Sequence, residues 1–198
     1  MASPIDDAWY GRLFAVRTGR RFAMEATPEY ALIGREGFGH LKGLAPGVKA
    51  LFIMRNPVAR AWSQVLHHCR SVGHDVAGLS DPDLIALVDS ERFEALGDYR
   101  RTIEDLTAVL AHDRFALAFY EDIHRDRPAA LARICDFIGA GFDAGWFQAS
   151  ERPVNVSQPG RMPDRVRAHL VAKYRDQAAW IDASHGPLPA SWQQTFGP

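Results

Sequence analysis

From Val48 to Met54 the chain is almost continuously apolar, and Leu44-Ala45-Pro46-Gly47 precedes this run as a turn signal. A short unbroken apolar run of this kind predicts a strand covered on both faces in a parallel sheet. Asn56-Pro57 follows within two residues. Asn is a favoured N-cap and Pro suits the first helical turn, so a helix is predicted from there to about Val72. Phe115 to Tyr120 predicts a second buried strand. Between the two strands the apolar positions shift to helical spacing: a short helix over 83–93 opened by Ser80-Asp81-Pro82, then Tyr99 to Ala111 with Ile103, Leu106, Val109 and Leu110 on one face.

The flanks follow the same logic. Residues 8–18 predict a short helix carrying Trp9, Leu13, Phe14 and Val16. Phe22 to Glu25 reads as extended and ends at Thr27-Pro28, because proline disfavours a helical residue before it. A helix from Glu29 to Glu36 comes next. Pro128 starts a helix whose core face is Leu131, Ile134, Cys135 and Ile138, ended by Gly139 to Gly141. Residues 152–163 form a loop with three prolines, Asp164 caps a helix over 165–183, and Trp192 sits in a turn-rich tail. Strands alternating with helices give an α/β class with a parallel sheet flanked by helices. No repeat or linker divides residues 1–198, which read as a single domain.

Composition narrows the chemistry. The formal net charge is −1, so no basic field exists for general binding of nucleic acid or anionic membranes. Positive charge must act locally, and it comes from twenty arginines against only three lysines, Lys42, Lys49 and Lys173. Cys69 and Cys135 lie in helical patterns and read as reduced core thiols. The N-terminus lacks the basic and apolar regions of a signal peptide, and no apolar run approaches the ~20 residues that cross a bilayer. A cytoplasmic protein is the expectation.

Arg55 falls at the carboxyl end of a buried strand, where ligands collect in open α/β sheets. The helix after it offers backbone N–H groups and the positive end of its dipole. Arg60 and Ser63, three residues apart, share a helix face. A guanidinium fork and a hydroxyl beside a helix start form a phosphate clamp. A strand-end arginine in a surface ion pair and an ordinary Asn-Pro helix start explain the same residues without a ligand.

Arg55-Asn56-Pro57-x-x-Arg60-x-x-Ser63 after an apolar strand resembles the 3′-phosphate motif of sulfotransferases that use 3′-phosphoadenosine 5′-phosphosulfate (PAPS). Other segments agree in order and spacing from about Trp9 to Trp192. Glu25-Ala26-Thr27-Pro28-Glu29-Tyr30 resembles Glu-x-[Ser/Thr]-Pro-x-Tyr, and Gly97-Asp98-Tyr99 resembles Gly-x-Tyr. Phe119-Tyr120-Glu121-Asp122-Ile123 resembles the Tyr-Glu-Asp-Leu strand end, Phe137-Ile138-Gly139 the Phe-Leu-Gly helix end, and Leu188-Pro189-Ala190-Ser191-Trp192 the closing Leu-Pro-x-Trp. The likeness is greatest to the carbohydrate (heparan-sulfate) type and to bacterial sulfotransferase domains, and it implies the P-loop-type fold of that family.

The resemblance also implies roles. Arg55 and Ser63 would grip the 3′-phosphate of the donor, with Arg60 at a further motif position. Glu25 would be the base that takes the acceptor's proton, with partial burial raising its pKa; its alternative is an ion pair with an arginine. Arg161 would either contact the donor phosphates from the proline-rich loop or stay solvated. Glu121 reads as structural. His67-His68-Cys69 with His74 does not present metal-ligand spacing, because adjacent helical residues point about 100° apart, so no metal is expected.

One element of the family pattern has no counterpart: the strand and Lys-x-Gly-Thr-[Ser/Thr] loop that cradle the 5′-phosphosulfate. The expected sheet therefore lacks that first strand, leaving an edge unpaired and apolar faces open, a route to oligomerisation. The chain is then a fragment of a longer enzyme, a remnant without activity, or a domain completed by another chain. The implied function is transfer of a sulfuryl group from PAPS to a hydroxyl or amine of a sugar or small metabolite, with low or no activity for these residues alone. The alternative is a non-catalytic nucleotide-binding or interaction module. A P-loop kinase is disfavoured by the missing Walker pattern.

Overall fold

The computed structural model describes residues 6–15, 19, 21–145 and 160–197. Strand β1 (Ala50–Met54) pairs in parallel with β2 (Phe115–Phe119), with Ala50 opposite Phe115 and Met54 opposite Phe119. Parallel strands need a long crossover. Here it is built from helices α3 (Pro57–Ser71), α4 (Asp81–Val88), α5 (Glu91–Gly97) and α6 (Tyr99–Val109). Helices α1 (Asp7–Ala15) and α2 (Gly34–Leu44) precede β1. After β2 come α7 (Tyr120–Arg125), α8 (Arg127–Ile138), α9 (Asp164–His185) and α10 (Ala190–Phe196).

Helix α9 ties the molecule together because its buried residues fall on one stripe: Val166, Leu170, Tyr174, Ala178 and Ile181. Spacings of four and three keep them on one face of a 3.6-residue helix. The N-terminal half of the stripe packs with Val58, Ala61, Trp62, Val65 and Cys69 of α3 and with Leu84, Val88 and Phe93 of α4 and α5. The C-terminal half packs with Met54, Tyr99, Ile103 and Trp192. A third cluster joins Phe38 of α2 to Leu106 and Leu110, under Ala50, Phe52 and Phe115. Each fully buried aliphatic side chain in these clusters contributes roughly 1.5–3 kcal/mol relative to exposure.

Several elements differ from the sequence expectation, each for a physical reason. The strands are not covered on both faces. Phe52, Met54, Leu117 and Phe119 face the α6–α9–α10 side, whereas Ile53 on the opposite face is 44% exposed. Among the described residues β1 pairs with β2 alone, so its other edge is open. The single helix expected over 83–93 is two helices. Asp89 is held by His169 Nε2 at 2.9 Å and by Lys173 Nζ at 2.6 Å, and Ser90 Oγ donates to the Leu87 carbonyl, which turns the backbone between α4 and α5. Burial alone would raise the Asp89 carboxyl, but hydrogen bonds from His169 and Lys173 outweigh it and hold the pKa below the usual carboxylate range.

Among the described residues Phe22 to Glu25 has no strand partner, and the helix expected over 29–36 is a 3-10 turn (Pro28–Leu32) followed by α2. Asp164 does not cap α9; the N-cap position is Pro163 and Asp164 is the first helical residue. Trp192 lies in a helix rather than a turn, fully buried. In α8 only Ala130 and Cys135 are buried, so the expected core face is half covered. Both cysteines are free and buried. The expected end of the first helix over 16–18 and the loop over 152–159 lie outside the described residues. No helix among the described residues is long and apolar enough to cross a membrane.

Gly97 ends α5 at a close approach of two helices. A Cβ there would collide with the Tyr174 hydroxyl and come to 2.8 Å from Arg60 Nη2. Tyr174 is a buried ring in the α9 stripe and cannot swing aside freely. Gly97→Ala is therefore expected to cost about 1–3 kcal/mol, read as a lower urea midpoint with an unchanged slope.

Candidate functional site

The β1–α3 junction is held from four directions. Asn56, buried, caps α3 with its side chain: Oδ1 accepts from Val58 N–H at 3.1 Å and Ala59 N–H at 3.3 Å. Its Nδ2 donates to Thr195 Oγ1 of α10 at 3.0 Å. Its backbone N–H donates to Glu121 Oε1 of α7 at 2.8 Å. The Tyr99 hydroxyl of α6 donates to the Arg55 carbonyl at 2.8 Å, and burial pushes that phenol's pKa far up, so it stays a donor. A motif that reads locally as an N-cap is thus bonded to residues from three distant elements.

This arrangement corrects the expectation that the α3 N-terminus offers free N–H groups. Pro57 has none, and those of Asn56, Val58 and Ala59 are taken within the protein. The helix dipole still favours an anion nearby, but directional bonds must come from side chains.

Arg55 supplies the first of these. Its guanidinium stacks on the Tyr120 ring, 5.2 Å from the centroid, and among the described residues it makes no ion pair. Stacking aims the guanidinium while leaving in-plane N–H groups for an anion. Tyr120 arrives there because Met54 pairs with Phe119, so Arg55 and Tyr120 are the residues that directly follow two parallel strands. Both line a cavity of about 630 Å³ that is also walled by Ala59, Arg125, Arg167 and Gln194. Tyr120 stacks further on His124, with centroids 4.2 Å apart.

The other expected site residues are dispersed. Ser63 is half-buried one turn beyond Ala59 on the same face of α3, outside the cavity lining. Arg60 turns the other way: Nη1 donates to Gln64, and Nη2 lies 3.3 Å from both the Phe93 carbonyl and the Tyr174 hydroxyl. There it bridges α3, α5 and α9. Arg161 is exposed and pairs with Asp164 at 3.5 Å. Glu25 is exposed rather than partly buried and also lies outside the cavity lining. Its neighbour is Tyr10, whose hydroxyl is raised in pKa first by burial and then by the charge of Glu25 and a hydrogen bond to it.

Tyr120, Arg125, Arg167 and the α10 residues were not singled out from the sequence as site residues. For Tyr120 the register of two strands was the missing information. For Arg167 it was the docking of α9 beside α3, pinned where Trp62 Nε1 donates to the Gly160 carbonyl at 2.7 Å. Among the described residues no group of three His, Cys, Asp or Glu side chains is placed to hold a metal ion.

Comparison with known proteins bears on the fold and the family. The chain is similar in structure to a sulfotransferase from Alicyclobacillus acidocaldarius at 22% identity, with a TM-score of 0.70, over 96% of this chain and 74% of that one. It is also similar to the sulfotransferase domain from the curacin biosynthetic pathway at 15% identity and a TM-score of 0.52, over 96% of this chain and 65% of that one. These two likenesses establish the sulfotransferase fold. No curated protein matches the chain. The sequence model of the sulfotransferase family matches residues 2–144, the greater part of the chain and the part that carries β1, Arg55 and Tyr120, so the chain belongs to that family.

Proposed function

We propose that the Arg55 cavity binds the nucleotide donor PAPS and that the chain serves transfer of its sulfuryl group to a hydroxyl or amine of a sugar or small metabolite. The observation that carries this reading is Arg55: an arginine with no ion pair among the described residues, aimed by an aromatic ring into a cavity at the carboxyl end of a parallel strand. The donor supplies the activated sulfuryl group. Arg55 holds an anionic phosphate; Asn56, Tyr99 and Glu121 keep the backbone beneath it still. Ser63, farther along the same helix face, is the proposed hydroxyl contact, and Glu25 beside Tyr10 is the proposed base.

Calorimetric titration of the folded protein with 3′,5′-bisphosphoadenosine tests the binding step, and a sulfate-labelled donor offered with a panel of sugars, phenols and amines tests transfer. Saturable one-to-one binding with labelled product is expected. A folded sample that takes up no nucleotide overturns the proposal, while binding with no product across the panel leaves a nucleotide-binding module without transferase activity.

A further inference from the structure

Glu25 lies in an exposed extended segment with no strand partner among the described residues, so the sheet does nothing to fix its side chain. The contact that does comes from α1. Tyr10 is half-buried, with its ring edge-on to Phe14 at 5.2 Å between centroids. Its hydroxyl lies 2.9 Å from that of Tyr30 in the Pro28–Leu32 turn and is hydrogen-bonded to Glu25. One phenol thus joins the two ends of the short stretch that carries the proposed base.

Both supports of that phenol are themselves held. Beside Tyr30, Glu29 pairs with Arg92 of α5 at 2.7 Å, and the Ala31 carbonyl accepts from Arg101 of α6 at 3.2 Å. Helix α1 is tied to α2 where His40 Nε2 lies 2.8 Å from Asp7 Oδ1. Chemistry then gives the bonds a direction. A carboxylate only accepts, and a phenol has a single proton. The Tyr10 O–H is therefore spent on Glu25, and Tyr30 must donate to the Tyr10 oxygen. The bond to the carboxylate is charge-assisted, and each bond polarises the next. Burial raises the Tyr10 pKa first, and the charge of Glu25 and the bond to it raise it further, so the phenol stays protonated and remains a donor.

We propose that Tyr10 is a positioning residue for Glu25, with Tyr30 behind it, and that the ordered chain Tyr30–Tyr10–Glu25 holds the carboxylate in one orientation; this rests on the base role of Glu25 in the proposed function above. The acceptor's proton passes to the Glu25 carboxylate as the acceptor oxygen or nitrogen bonds to sulfur and the S–O bond to the donor's phosphate breaks. Tyr10 keeps its own proton throughout. Its contribution is orientation, which an exposed glutamate in an unpaired segment otherwise lacks.

The test has two arms, both on the full chain. Carbon NMR of tyrosine labelled at Cζ follows the Tyr10 phenol through its titration, with Tyr10→Phe identifying the signal. Glu25→Gln removes a neighbouring negative charge, so the Tyr10 pKa should fall; Tyr30→Phe removes a donor to the Tyr10 oxygen, so it should rise. No change in Glu25→Gln, or a fall in Tyr30→Phe, overturns the chain of bonds. The second arm measures transfer from sulfate-labelled PAPS to the acceptor panel. Tyr10→Phe keeps the ring against Phe14 and is expected to lower kcat roughly ten-fold, the scale of one charge-assisted bond, with KM for the donor and 3′,5′-bisphosphoadenosine binding unchanged. An unchanged kcat, or nucleotide binding lost in step with kcat, overturns the positioning role and leaves the proposed function standing. Labelled product absent from wild type overturns the transfer reading and the positioning role together.

Discussion

Arg55→Ala is expected to weaken 3′,5′-bisphosphoadenosine binding by roughly 100-fold, about 2–3 kcal/mol, with no more than a small change in thermal stability. Binding and stability separate because the parts of residue 55 that hold the fold are backbone atoms. The Tyr99 hydroxyl bonds the Arg55 carbonyl, and the next N–H bonds Glu121; neither depends on the guanidinium. What the substitution removes is the stacked cation over Tyr120, worth only about 0.5–1 kcal/mol to the free protein. Calorimetry beside a melting curve distinguishes the cases. Full-strength binding by the variant would end the assignment of Arg55 as the phosphate contact, and a collapsed melting temperature would show a structural residue instead.

Trp192→Ala is the substitution expected to cost the fold most, about 3–5 kcal/mol. The indole is fully buried in α10 and meets Tyr99 at 6.3 Å, Phe119 at 5.4 Å and Phe196 at 6.4 Å between ring centroids. It therefore ties the C-terminal helix to β2 and α6. Its Nε1–H has no partner among the described residues, so packing rather than hydrogen bonding is the contribution. Trp192→Phe should cost much less than the alanine variant, since an aromatic ring is kept and an unsatisfied donor is lost. The same loss reaches the site, because α10 also carries Thr195, the acceptor for the Asn56 side chain. Urea unfolding of both variants checks this; equal midpoints for Phe and Ala would refute a packing role.

The likeness to sulfotransferases was legible because it is carried by short local patterns. Asn56-Pro57 after an apolar run marks a strand end and helix start whatever surrounds it, and α3 does begin at Pro57 with Asn56 as its cap. The stripe on α6 was legible for the same reason, as periodicity is a property of the helix itself. The direction of a long side chain was not. Arg60 and Ser63 share a face by spacing, yet the guanidinium of Arg60 reaches back to Gln64 and across to Tyr174, because a buried hydroxyl on α9 and a carbonyl on α5 stand within its reach. Burial of Glu25 was misjudged because a segment without a sheet partner stays exposed however its residues alternate.

By itself, then, the sequence determined the parallel α/β class, the strand–Asn–Pro–helix junction and the family, since each depends on residues within a few positions of one another. Tertiary structure alone decided which cations meet in one cavity. Arg55 and Tyr120 become neighbours through strand register, and Arg167 joins them through the packing of α9 on α3. It also decided that the Asn56 backbone N–H is spent on Glu121, 65 residues away. Contacts between residues far apart in the chain depend on how whole elements pack, and no local pattern encodes that packing.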